Sequence, residues 1–154
     1  MNLSTQIAKH VRDLYSGGNY AGVNLKETLK DVDWKTATIK IDFFNTILAL
    51  VYHINYYVIS VSKVLQGGPL DASDKFSFDH PQIQSEEDWK KFLDAFFADA
   101  ENFALLIEQL PQDKFLEPFL DGKYGSYYRN VAGVIEHTHY HLGQIVLIKK
   151  MLRH

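Results

Sequence analysis

Residues 136–144 of the chain read EHTHYHLGQ. His137 and His141 are four positions apart, so in a helix both imidazoles project from the same side and can bind one metal ion. Apolar residues recur at helical spacing around them, and both histidines fall on that apolar stripe. His139 lies about 200° from His137 around such a helix and cannot join the pair. The segment therefore predicts an amphipathic helix with two candidate metal ligands on its buried side.

A third candidate ligand is His53, which lies in the apolar stretch LALVYHINYY at residues 48–57. A polar side chain that points into a core is unfavourable unless it is satisfied, and a metal ion would satisfy it. Three histidines would leave one coordination position open for water or substrate, as in catalytic sites. The alternative interpretation is that these are core histidines bonded to tyrosines or to the backbone.

The fold class follows from the apolar periodicity of the whole chain. Residues 67–69 read GGP and break the helical pattern, and a polar stretch extends from there to residue 84. Amphipathic helices with one or two long connections are typical of a four-helix bundle. We therefore expect one all-α domain over residues 1–154. Its four long helices are predicted at residues 2–15, 43–65, 85–110 and 126–152, with short helical pieces near 25–29 and 33–38.

Composition excludes several classes of function. The net charge of −3 and a pI near 6.1 argue against nucleic-acid binding through a basic surface. The chain has no cysteine, which excludes disulfides, thiolate metal sites and a cysteine nucleophile. No stretch reaches eighteen apolar residues, and the first helix is amphipathic rather than a signal peptide. We expect a cytoplasmic protein that does not span a membrane.

These motifs resemble those of the DinB-like superfamily of metal-binding four-helix bundles. The resemblance covers nearly the whole chain and depends on His53 in its LVYHI setting, on the pattern HxxxHxGQ at residues 137–144, and on the connection at residues 18–32. It implies a metal triad of His53, His137 and His141 that binds zinc or nickel, and usually a homodimer. Some members of the superfamily are thiol S-transferases that use bacillithiol, mycothiol or glutathione. Others have no known activity or were noticed as damage- or stress-inducible.

Three further side chains are candidates for the surroundings of the metal or for substrate binding. Gln144 lies three positions after His141, on the metal side of the helix, although a packing role is equally compatible with its position. Tyr57 lies one turn after His53 and is a possible hydrogen-bond donor, or else a core tyrosine. Asn45 lies two turns before His53 and is a candidate to face the same cavity; the alternative is a solvated or capping role.

Two kinds of chemistry fit such a site. A divalent metal can deprotonate a coordinating thiol, as a thiol S-transferase requires, or activate water, as a hydrolase requires. A metalloprotease of the HExxH type is disfavoured, because Thr138 stands where the general-base glutamate should be. The alternative function is a non-catalytic stress-response protein with a structural or vestigial metal. An open polar cavity beside the metal would favour an enzyme acting on a small molecule. Histidine ligands also suit iron or copper.

Overall fold

A computed structural model describes residues 2–153 as an all-α protein with six α-helices. Two short 3₁₀ helices, Asp74–Phe76 and Gln112–Leu116, lie in the connections. Within the described range there is no β-strand, and Pro118 and Ser126 form an isolated bridge. The helices are α1 Leu3–Ser16, α2 Leu25–Leu29, α3 Trp34–Thr38, α4 Ile47–Leu65, α5 Glu86–Gln109 and α6 Tyr127–Met151.

Every one of the six helices begins at a polar residue whose side chain accepts a hydrogen bond from a backbone N–H three positions later. Such caps satisfy amides that have no partner inside the helix, which fixes where each helix starts. Ser85 and Ser126, the first residues of two helices predicted from sequence, are among these caps. The capping residues are Asn2, Asn24, Asp33, Thr46, Ser85 and Ser126.

The predicted start of α4 at Phe43 is wrong. The helix begins at Ile47, because Thr46 has extended backbone angles and its side chain caps the first turn. Just before it, Asp42 has a positive φ of 42°, which no α-helix accommodates. The backbone N–H of Phe44 then closes a turn on the carbonyl of Ile41. Residues 41–46 are therefore a turn rather than the first turn of the helix.

The four long helices pack side by side around one hydrophobic core. α1 contacts α5, α5 contacts α4, α4 contacts α6, and α6 contacts α1. Large side chains such as Phe103 of α5, Ile54 of α4 and Ile145 of α6 are completely buried in that core. α2 closes over α1 and α6, and α3 packs against α4 and α5. This arrangement brings the middle of α4 next to the middle of α6.

Within residues 2–153, α4 is the one helix long and apolar enough to cross a membrane by length and composition. In the fold, 67% of that apolar stretch is buried. The burial is that of a central core helix, and core helices pass the same test of length and composition.

The connection from α4 to α5 lies against α4 instead of extending away from it. The hydroxyl of Tyr56 donates to the carbonyl of Ser73 at 3.1 Å and accepts from the backbone N–H of Ser73 at 2.8 Å. Farther along, Ser77 is only 1% exposed. These contacts hold the connection, residues 66–85, beside the central turns of α4, where His53 lies.

Candidate metal centre

The structure brings the three predicted ligands together. Nε2 of His137 lies 3.0 Å from Nε2 of His53 and 3.0 Å from Nε2 of His141. A suitable nitrogen of each histidine falls within 4.8 Å of the others, so the group could hold one metal ion. For comparison, two imidazole nitrogens bound to tetrahedral zinc are about 3.3 Å apart. The observed spacing is close to that of a coordinated set.

The helices explain this convergence. His137 and His141 are one turn apart on α6, and His53 projects from the facing turn of α4. His53 and His141 are 8% and 7% exposed, so both rings lie inside the α4–α6 interface. His137 is only partly buried and forms the solvent-facing edge of the group.

The contacts of the other ring nitrogens determine the tautomers of two histidines. Nδ1 of His53 donates to the backbone carbonyl of Ser77 at 3.2 Å, and Nδ1 of His141 donates to Oε1 of Gln144 at 2.6 Å. An oxygen acceptor requires a proton on Nδ1, so Nε2 of both rings carries a lone pair directed at the centre. Such outer contacts are typical of metal-binding histidines, whose ring orientation they fix.

His137 shows why the centre suits a cation. Its Nε2 lies between two lone pairs and can donate a proton to only one of them. Its Nδ1 is buried and has no hydrogen-bond partner among residues 2–153. Whichever tautomer His137 adopts, nitrogen lone pairs face each other or a buried polar atom stays unpaired, which is unfavourable. A divalent ion at the three Nε2 atoms removes the repulsion, and the donor set therefore fits a metal.

All three histidines are neutral at pH 7. Burial, together with the smaller effects of the neighbouring His141 and His53, lowers the pKa of His137 to about 4. Burial, followed by the charge of His141, lowers the pKa of His53, and burial lowers the pKa of His141. A group whose pKa is below 7 is mostly unprotonated there, so the nitrogens are available as ligands.

Aromatic side chains from α4 and from the α4–α5 connection enclose the group. The ring of Phe78 stacks on His53 with centroids 4.0 Å apart and planes within 6°. Tyr57 contacts the rings of His53 and His137 edge-on, and its hydroxyl donates to the carboxylate of Asp74. Burial and this hydrogen bond raise the pKa of Tyr57 to about 12, so the phenol keeps its proton at neutral pH.

An open cleft of about 320 Å³ reaches the group from the side of His137. Its wall contains Tyr57 from α4 and Arg129 and Asn130 from the first turn of α6. Val61 and Val134 add an apolar surface. A small molecule in this cleft would contact His137 directly, so the centre is accessible from solvent rather than sealed by core side chains.

Of the three residues predicted to surround the metal or bind substrate, two contact the histidines and one does not. Gln144 contacts a ligand histidine, and Tyr57 contacts two of them. Asn45 precedes α4 and lies in a separate cleft with Phe43 and Gln144, with no hydrogen bond or ring contact to the three histidines. The premise that placed Asn45 beside His53, a helix extending back to residue 43, does not hold.

Sequence reasoning missed the contribution of the α4–α5 connection. Ser77 supplies a backbone carbonyl, a group that every residue has, so its identity carried no signal. Phe78 and Asp74 lie in a stretch without periodicity, and their approach to α4 depends on the path of the loop. Arg129 also lines the site and was not predicted. It could have been identified from the sequence, because it lies two turns before His137 on the same predicted helix.

His139 lies away from the centre, as its position on the helix predicted. Its ring packs near the ring of His10 from α1, with centroids 5.9 Å apart, and its Nδ1 bonds the carbonyl of Ile135. His139 therefore provides a control histidine on the same helix as the candidate ligands.

The chain was compared with protein families, curated proteins and solved structures. No protein-family model, curated protein or solved structure matches the chain.

Proposed function

We propose that this chain is a metal-dependent enzyme acting on a small molecule, with His53, His137 and His141 as the metal ligands. The observation that carries the proposal is the convergence of three Nε2 atoms beside an open cleft. A thiol S-transferase is the leading reaction class, and a related hydrolase is the second.

The proposed architecture is a DinB-like four-helix bundle. The circuit of contacts among α1, α5, α4 and α6 supports a bundle, because each long helix packs on two others. Bundles commonly place metal ligands on facing helices, as α4 and α6 do here. The resemblance to the DinB-like superfamily rests on the sequence motifs, and it is also the basis for expecting a homodimer.

A bound divalent metal would lower the pKa of a thiol or a water held beside it. In the transferase reaction the cosubstrate thiol would lose its proton to solvent water in the open cleft, and a sulfur electron pair would form a bond to an electrophilic carbon of the second substrate. The leaving group departs with the electron pair of its former bond. The chain itself supplies no cysteine, so the sulfur belongs to the cosubstrate.

The side chains around the centre have separate tasks in this proposal. Ser77 and Gln144 hold His53 and His141 with their lone pairs inward. Tyr57 is protonated and forms one wall of the cleft, where its ring limits how a substrate approaches His137. The apolar side chains of Val61 and Val134 exclude water from part of the wall.

A non-catalytic protein with a structural or vestigial metal is the alternative. Structural zinc sites are usually closed by four protein ligands, whereas only three histidines converge among the residues that the structure describes. The polar cleft beside His137 also favours a site that exchanges ligands with solvent. Both features support the enzyme.

Metal analysis tests the proposal. Plasma mass spectrometry on protein purified without an affinity tag should find close to one zinc or nickel per chain for wild type and His139→Ala, and almost none for His137→Ala. Wild-type protein that lacks metal and takes up neither ion when it is added would refute the site and both enzymatic readings. A loaded protein that accelerates no reaction of several low-molecular-weight thiols with electrophiles, and no hydrolysis, would favour the structural alternative.

A further inference from the structure

We propose that the cleft beside His137 binds a carboxylate of its small-molecule ligand through Arg129. The inference deepens the proposed function, because it names the chemical class of the molecule presented to the metal centre. It begins from the contents of the cleft rather than from the three histidines.

Arg129 gives the cleft a positive charge. Apart from the proposed ligand His137, Arg129 is the only described residue lining the cleft whose side chain is charged at neutral pH. The other polar groups of the wall are the tyrosines Tyr57 and Tyr124 and the amide of Asn130. The amide already donates to the backbone carbonyls of Tyr124 and Ser126. Arg129 is therefore the group that would select a ligand by charge.

The guanidinium of Arg129 makes one exposed ion pair, with Glu136, and no side-chain hydrogen bond to it. Its nearest carboxylate oxygen, on Glu136, lies 3.6 Å away, beyond hydrogen-bond distance, and both side chains are more than 60% exposed. Arg12, by contrast, makes hydrogen bonds of 2.9–3.1 Å to both carboxylate oxygens of Glu101. Arg129 thus keeps its hydrogen-bond donors available for a ligand.

A glycine lets the guanidinium lie along α6 toward the metal centre. A Cβ at Gly133 would come within 2.9 Å of Nη1 of Arg129, so a larger residue would force this side chain to move. Gly133 also lines the cleft, one turn before His137. Between Arg129 and His137, the surface of α6 in the cleft therefore includes a residue without a side chain, Gly133.

The geometry points to a short ligand with a carboxylate at one end and a metal-binding group, such as a thiol, at the other. The planar fork of arginine matches a carboxylate with two parallel hydrogen bonds. The intervening wall, formed by Val61, Val134 and Tyr57, is largely apolar and suits a short carbon chain.

The test compares two thiols that differ in the distal group. Cobalt(II)-loaded wild-type protein is titrated with 3-mercaptopropionate and with 2-mercaptoethanol, and the sulfur-to-cobalt charge-transfer absorption reports binding. We expect 3-mercaptopropionate to bind roughly ten-fold more tightly, the effect of one charge-assisted hydrogen-bonded contact. Arg129→Gln should reduce that ratio to near one while 2-mercaptoethanol binding stays unchanged. Arg153→Gln, a control at the far end of α6, should keep the wild-type ratio.

The cobalt content separates failure of this inference from failure of the proposed function. If cobalt binds but the ratio is the same in wild type and Arg129→Gln, the carboxylate site is refuted and the metal centre stands. If no cobalt binds, the proposed function fails, and NMR of the Arg129 Nε–H group during titration with 3-mercaptopropionate decides the carboxylate site alone. A shift that saturates would support it, and an unchanged resonance would overturn it.

Discussion

The α1–α5 interface and the α4–α6 interface are built from similar amphipathic helices, but only the second has a cluster of histidines at its centre. Between α1 and α5 most buried side chains are apolar, including Leu14 of α1 and the large rings of Phe96 and Phe103 of α5. Two buried polar residues lie there: Ser4 donates to the carbonyl of Leu110 at 2.6 Å, and the ring of Tyr15 packs on Phe96 with centroids 5.2 Å apart. Burial of the apolar side chains stabilises this interface.

The α4–α6 interface instead has three neutral imidazoles at its centre. Outer hydrogen bonds hold His53 and His141 in place, yet the inward nitrogens of all three face one another. Hydrophobic burial on either side, from residues such as Ile54 and Ile145, offsets this local cost. The comparison indicates that a ligand could bind where the fold orients several polar side chains but leaves their inward nitrogens without enough hydrogen-bond donors.

The largest expected effect tests the packed interface. Phe103→Ala should lower the free energy of unfolding by about 3–5 kcal/mol, because it leaves a cavity where the ring is completely buried. Urea denaturation of the metal-free protein measures it. Leu105→Ala, on the same helix but 43% exposed, should cost less than about 1 kcal/mol. Equal losses in the two variants would show that the α1–α5 surface is not the tight core described here.

Zinc should stabilise the second interface and not the first. At a free zinc concentration about 100 times the dissociation constant, the free energy of unfolding should rise by roughly 2.7 kcal/mol in the wild type. His137→Ala should lose this increment, because it removes the nitrogen that lies 3.0 Å from both other ligands. His139→Ala should retain it. A zinc effect of similar size in wild type and His137→Ala would place the ion elsewhere.

Removing an outer contact should weaken metal binding without abolishing it. Gln144→Leu deletes the acceptor that orients His141, and such changes typically reduce metal affinity 10–100-fold. Gln144→Glu keeps an oxygen acceptor in the same place, so its affinity should stay near that of the wild type. Competition with a chelating dye measures both. Unchanged affinity in Gln144→Leu would mean that the 2.6 Å contact has no role in orienting the ring.

The features that depend on local sequence patterns were predictable. Helical periodicity and a capping side chain are local, so the long helices and the caps at Ser85 and Ser126 could be inferred. The pairing of His137 with His141 follows from the helical repeat alone, and the approach of His53 follows once α4 and α6 are neighbours. The start of α4 was misplaced because Asp42 and Thr46 interrupt an apolar pattern that looked continuous.

The loop contributions could not be predicted for a physical reason. The hydrogen bond from His53 to Ser77 joins residues 24 positions apart, through a carbonyl group that any residue would supply. The stacking of Phe78 on His53 depends in the same way on the path of the chain after Gly67, where φ is positive. Periodicity carries no information about such a path, so the contacts that the loop makes with the candidate metal centre could not be predicted from sequence.

The smallest expected effect compares two arginines, one beside each interface. Arg12 of α1 joins Glu101 and Glu108 of α5, hydrogen bonds that raise its pKa above the usual value, and its side chain is 31% exposed. Arg129, beside the α4–α6 cleft, has one exposed ion pair, with Glu136 at 3.6 Å. Replacing Arg12 by methionine keeps an apolar stem but removes the ion pairs, and should cost roughly 0.5–1 kcal/mol of stability, less at high salt.

Arg129→Met should leave the free energy of unfolding unchanged within the error of urea denaturation, because no close ion pair is lost. The two variants make the same chemical change, at a partly buried position with two close ion pairs and at an exposed position with one distant ion pair. A stability loss in Arg129→Met as large as that in Arg12→Met would show that Arg129 serves the fold. Unchanged stability in Arg129→Met would mean that the fold does not require the charge of Arg129, so that charge is available to a ligand. In this respect Arg129 at the α4–α6 cleft would differ from Arg12 at the α1–α5 interface.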